Sequence, residues 1–124
     1  MKQIICDSAP KVVGPYSAAI EVNNFVYTSG QIGVDPLSGN LLEGIENQTR
    51  QVFKNLAEVL KSAETDLQHV VKATVFLQNL SDYAVVNTIY EEMFAGHKPA
   101  RSAVQVAKLP REALLEIEMI AIKE

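Results

Sequence analysis

A single cysteine, Cys6, stands in a chain of 124 residues. One thiol leaves no intrachain disulfide and fits a reducing compartment. Its neighbours in the sequence include no base or cation to activate it. The two histidines, His69 and His97, lie far apart, so a tetrahedral zinc site is excluded. Positive charge is also scarce: 11 Lys and Arg against 15 Asp and Glu leave a net charge of −4. Such a balance lacks the basic surface that displaces counterions from a phosphate backbone, so nucleic acid is not expected as a partner. No apolar run approaches the roughly 18 residues of a membrane span. "MKQIICDSAP" has no apolar core of a signal peptide. A cytoplasmic protein without membrane contact is expected. The glycines of "SGQIGVDPLSG" lack the spacing and the following Lys-Ser/Thr of a phosphate loop.

What is present is an ordinary globular mixture, 48% hydrophobic and 21% charged, with no repeat or linker. A single domain over 1–124 is expected. Residues 17–34 read as two strands around Asn23-Asn24, a pair that tolerates the positive φ of a tight hairpin turn. Residues 46–63 carry a helical stripe of Val52, Phe53, Leu56, Val59, Leu60 and Ala63. Alternation returns over 69–78. Ser81 is the expected N-cap of a helix over 82–95, with Gly96 at C′. Strands follow at 101–107 and 114–122, and a short one is expected at 2–5. The order predicts an α+β fold, one sheet covered on one face by two helices. In the last strand Leu115, Ile117, Met119 and Ala121 suit the helix side. Leu114, Ile120 and Ile122 leave the other face largely apolar too, so a homo-oligomer that packs these faces is expected.

"KPARSAVQV" (98–106) places Arg101 at the mouth of a strand that leads inward. Arg101 shares a face with Ala103, Gln105 and Ala107. Glu116 and Glu118 share a face of the strand expected to pair with it through "LPRE". Two readings stay open. One is a structural ion pair between neighbouring strands. The other is a fork for a small carboxylate, which guanidinium binds bidentately, with room left by Ser102 and Ala103. Asn87, one turn from Tyr83 and Tyr90, reads as a buried amide satisfying the backbone. "TSGQ" (28–31) reads as a bulge or turn that needs Gly30, and "GPY" (14–16) as a turn presenting Tyr16. His69 reads as a solvent-edge histidine and His97 as a residue closing the second helix.

Together "GPYS" (14–17), "TSGQI" (28–32), "QTRQVFKNL" (48–56), "VNTIYEEMF" (86–94), "KPARSAVQVAKLP" (98–110) and "LEIEMIA" (115–121) resemble the RidA (YjgF) family over nearly the whole chain. The resemblance implies a chorismate-mutase-like fold, a single layer of mixed sheet with two helices on one face. It implies a homotrimer with ligand clefts between subunits. It also implies hydrolysis of reactive enamines and imines, such as 2-aminoacrylate, 2-iminobutanoate and 2-iminopropanoate, to 2-oxo acids and ammonia, without a cofactor. Carried across, Arg101 would bind the substrate carboxylate and Glu116 would serve the attacking water. Tyr16, Ser29, Gly30, Asn87 and the backbone at Ala103 would line the cleft. The chain departs from the commonest pattern at Ala18, where Gln is usual, and at Ala103, where Cys is usual. Its loop before Arg101, "FAGHKPAR", is short.

The resemblance leaves a competing function open, a trimeric module that senses 2-oxo acids or related carboxylates and regulates a partner. Glu116 separates the two, because a carboxylate sensor gains only repulsion from a second carboxylate. An RNA-directed role fits the acidic balance least.

Overall fold

The computed structural model describes all of residues 1–124. Six strands form one sheet: β1 (Lys2–Ile4), β2 (Ala19–Val22), β3 (Phe25–Thr28), β4 (Val70–Leu77), β5 (Ala100–Gln105) and β6 (Leu115–Ile122). Their order across the sheet is β1-β2-β3-β6-β4-β5. The β4–β5 pair is parallel and the others are antiparallel, so the sheet is mixed. Two helices, α1 (Ile45–Ser62) and α2 (Tyr83–Phe94), complete the α+β fold. Neither is long and apolar enough to cross a membrane.

The β2–β3 hairpin turns on Asn23 (φ 51) and Asn24 (φ 64). Two left-handed residues in succession twist a two-residue turn in the sense the strands require. Asparagine is among the few side-chain-bearing residues that accept this backbone readily. The α1 stripe Val52, Phe53, Leu56, Val59 and Leu60 is fully buried. Phe53 meets Tyr90 and Phe94 of α2 edge-on, with centroids 5.7 and 5.6 Å apart, an arrangement favoured by the ring quadrupoles. On β6, Leu115, Ile117, Met119 and Ala121 are buried under the helices.

The opposite sheet face has no covering element. In register across it lie Ile20, Tyr27 and Ile120, then Val22, Phe25 and Ile122, then Glu116, Phe76 and Val104. Tyr27 and Val104 are 44% and 45% exposed, as the apolar pattern of both faces of the last strand predicts.

Two expectations need correction. Ser81 is not an N-cap: it lies inside a 3-10 turn, Leu80–Asp82, that leads into α2, and Asn79 caps that turn through its side chain to the Ser81 N–H. The second correction matters more. β5 does not pair with β6, because β4 lies between them. The β4–α2–β5 segment is a strand–helix–strand crossover, and such a crossover lays its strands parallel. The strand expected at 101–107 ends at Gln105, and the one expected at 114–122 begins at Leu115.

Candidate functional site

The sequence-derived site residues fall into two groups. The first centres on an irregularity between β3 and β6. Regular pairing runs from Phe25↔Ile122 to Tyr27↔Ile120 and resumes at Gln31↔Ile117. β3 therefore carries one more residue than β6 across this stretch, which defines a bulge. Thr28 Oγ1 accepts the Met119 N–H at 2.9 Å and holds the edges together. Ser29 donates its hydroxyl to Ser17 O at 2.6 Å, drawing in the segment that carries Tyr16. The Ser29 hydroxyl is thus spent on the fold. The tyrosine ring itself is 53% exposed.

Gly30 is needed here for space and not for a special backbone angle. A Cβ at this position would lie 1.9 Å from Glu116 Oε2. Glu116 therefore lies directly over the bare Gly30 backbone on the open face. None of the chain's ion pairs includes it. Burial pushes its carboxyl above the ordinary range, and the charge of Glu118, which points to the same face, adds to that push.

The buried polar residues of α1 support this group. Gln48 donates to Leu42 O at 2.9 Å and accepts from the Leu114 N–H at 2.8 Å. Asn55 donates to Val34 O at 2.9 Å. These bonds fasten the loop after Gly30 and the start of β6 to one helix.

The second group surrounds Arg101 on the edge strand β5. Arg101 is in register with Ala73 and, beyond it, Met119, so it points to the helix side. Its Nη1 donates to Asn87 Oδ1 and its Nη2 to the Tyr83 hydroxyl, both at 2.6 Å. The guanidinium carbon lies 4.8 Å from the centre of the Tyr90 ring and 5.4 Å from that of Tyr83, within cation–π range. Burial raises the pKa of the Tyr90 phenol, and the Arg101 charge partly offsets that. Ala103, two residues along the same face, packs against the core. An open groove of about 930 Å³ runs from Arg101, Asn87 and Tyr90 along the loop after α2.

The ion-pair reading of Arg101 and Glu116 fails on this geometry. Their strands are not neighbours, and their side chains leave opposite faces of the sheet. None of the chain's ion pairs includes either residue. Asn87 also departs from expectation, since its oxygen serves Arg101 and not the backbone. Tyr83 and Tyr90 were not anticipated as part of the site. Their signal lies in the 83–87–90 spacing, which puts both rings and the amide on one helix stripe. His97 bonds to Val70 O at 2.7 Å and packs on Phe94, which anchors the loop. His69 stays at the surface against Asp66, whose hydrogen bond raises its pKa.

Comparison with known proteins gives the affiliation. The family model described as Endoribonuclease L-PSP, that of the RidA/YjgF proteins, matches residues 6–123. The chain belongs to the RidA family. A mouse RidA relative named 2-iminobutanoate/2-iminopropanoate deaminase is 47% identical over 98% of this chain and 91% of its own. A Lactococcus lactis relative that carries a regulator's name, AldR, is also 47% identical, over 98% of this chain and 97% of its own. The crystal structure of a Rid family protein of unknown function from Yersinia pestis superposes with a TM-score of 0.96 at 47% identity, covering 98% of each chain.

Proposed function

We propose that this RidA protein is an imine deaminase that hydrolyses 2-iminobutanoate, 2-iminopropanoate and related enamines to 2-oxo acids and ammonia. The carrying observation is an arginine fork held in place by Asn87 and Tyr83 with no carboxylate of its own chain against it. A substrate carboxylate is the natural occupant. The deaminase name of the mouse relative supports the same reading.

The opposite orientations of Arg101 and Glu116 support a site completed by a second copy. The open sheet face is the surface that would bring copies together, and a homotrimer with three shared clefts is the proposed assembly. In such a cleft Arg101 of one copy fixes the carboxylate, and Glu116 of its neighbour faces the adjoining C=N carbon. Tyr16, Ser29 and Gly30 wall the Glu116 side, and Asn87 and the Ala103 backbone the Arg101 side.

The reaction then needs no cofactor. Glu116, as carboxylate, takes a proton from water while the water oxygen bonds to the iminium carbon, and the C=N π electrons move to nitrogen. The resulting carbinolamine receives the proton at nitrogen from Glu116. The C–N bond breaks with its pair on ammonia as an oxygen lone pair closes the carbonyl. The hydroxyl proton passes to Glu116, again a carboxylate, and from it to the ammonia, which leaves as ammonium. Orientation by Arg101 contributes through proximity. A carboxyl with a raised pKa works both ways near neutrality.

The test is imine consumption. An amino-acid oxidase generates 2-iminobutanoate or 2-iminopropanoate beside semicarbazide as a competing trap. Protein-dependent loss of semicarbazone, absent with Arg101→Ala, is the expected result. A folded oligomer without effect would support the carboxylate-sensing module instead, and calorimetry with 2-oxo acids would follow.

A further inference from the structure

We infer that Tyr83 is a positioning residue for Arg101, and that its hydroxyl sets how tightly the site holds a carboxylate. This rests on the reading of Arg101 as the carboxylate anchor. The long arginine side chain comes from an edge strand, where no neighbouring strand on the outer side restrains it. A single hydrogen bond to Asn87 would leave the guanidinium free to swing about that contact. The bond from Nη2 to the Tyr83 hydroxyl, 2.6 Å long, supplies a second tether on the other terminal nitrogen. The Tyr90 ring, 4.8 Å from the guanidinium carbon, sets its plane. Two tethers and one stacking surface fix the group.

The arrangement also conserves donors. Guanidinium carries five N–H groups. Asn87 and Tyr83 take one from each terminal nitrogen, so each keeps one, and Nε–H remains. A ligand carboxylate meets a fork already oriented, and less freedom is lost on binding. Tyr83 contributes through Arg101 and need not touch the substrate.

The test uses the full chain with Tyr83→Phe, which keeps the ring and removes the hydroxyl, and Tyr83→Leu, which removes both. Calorimetry with 2-oxobutanoate and steady-state imine hydrolysis are the readouts. Affinity should fall roughly fivefold in Tyr83→Phe and further in Tyr83→Leu, as loss of one modest hydrogen bond implies. KM should rise in step, with kcat and Tm unchanged. Wild-type protein that binds 2-oxobutanoate no better than Tyr83→Phe would overturn the inference alone. A fall in kcat at constant KM would overturn it too, making Tyr83 a support of the scaffold. Wild-type protein that neither binds 2-oxobutanoate nor turns over the imine would remove the anchor reading and this inference together.

Discussion

At the scale of single residues the two halves of the site use different physics. Arg101 works by geometry: one planar group satisfies Asn87 and Tyr83 and keeps three N–H groups for the proposed carboxylate. Lysine offers a point charge without the fork. Arg101→Lys should therefore weaken 2-oxobutanoate binding by tenfold or more, with the fold intact because the residue sits at a sheet edge. Unchanged affinity would reduce Arg101 to a simple positive charge. Glu116 works by environment. Its folded pKa is raised, so the fold disfavours its charged form. That penalty is absent below the ordinary carboxylate pKa, grows as pH rises toward the folded value, and is complete above it. Glu116→Gln should raise Tm at neutral pH and leave it unchanged in acid, while turnover drops by roughly 10²-fold or more. A variant equally stable at both pH values would contradict the desolvated carboxyl, and full turnover would remove Glu116 from the chemistry.

At the scale of elements, the β3–β6 bulge places a bare backbone under a carboxyl. Gly30→Ala tests that design. Its new Cβ would meet the end of the Glu116 side chain, which can swing away, so the fold should survive with little loss of Tm. Displacing an acid–base group by about an ångström costs up to roughly 10²-fold in rate, and kcat should fall accordingly; an unaffected kcat would place Glu116 elsewhere during the reaction. Much of this level was legible in the sequence. Asn23-Asn24 announced its hairpin because few other pairs accept that backbone, and the alternation of β6 separated Ile117 and Met119 from Glu116 correctly. The strand order was misread because the last two strands were joined as chain neighbours. The helix between strands 70–77 and 100–105 calls instead for a parallel crossover pair. The Arg101 cage was hidden for a related reason, since only that pairing brings the α2 stripe of Tyr83, Asn87 and Tyr90 beside β5.

At the scale of the whole molecule, the site hypothesis makes a demand that no single chain can meet. Arg101 and Glu116 lie on strands separated by β4 and leave opposite faces. If both act on one substrate, they belong to different copies. Complementation decides this. Arg101→Ala and Glu116→Gln proteins, each inactive alone, would be unfolded together in equal amounts and refolded into mixed oligomers. A cleft between copies regains both groups when an intact arginine from the Glu116→Gln chain faces an intact glutamate from the Arg101→Ala chain. Random assembly brings this about at one half times one half of the clefts, so about a quarter of wild-type activity should return in any closed ring of copies. Simple mixing of the folded variants, without exchange of subunits, should restore nothing. Were the two groups to act within one chain, every site would carry one lesion and the refolded mixture would stay inactive. Recovery thus measures the sharing of the site directly, and it does so whether the assembly holds three copies or another number.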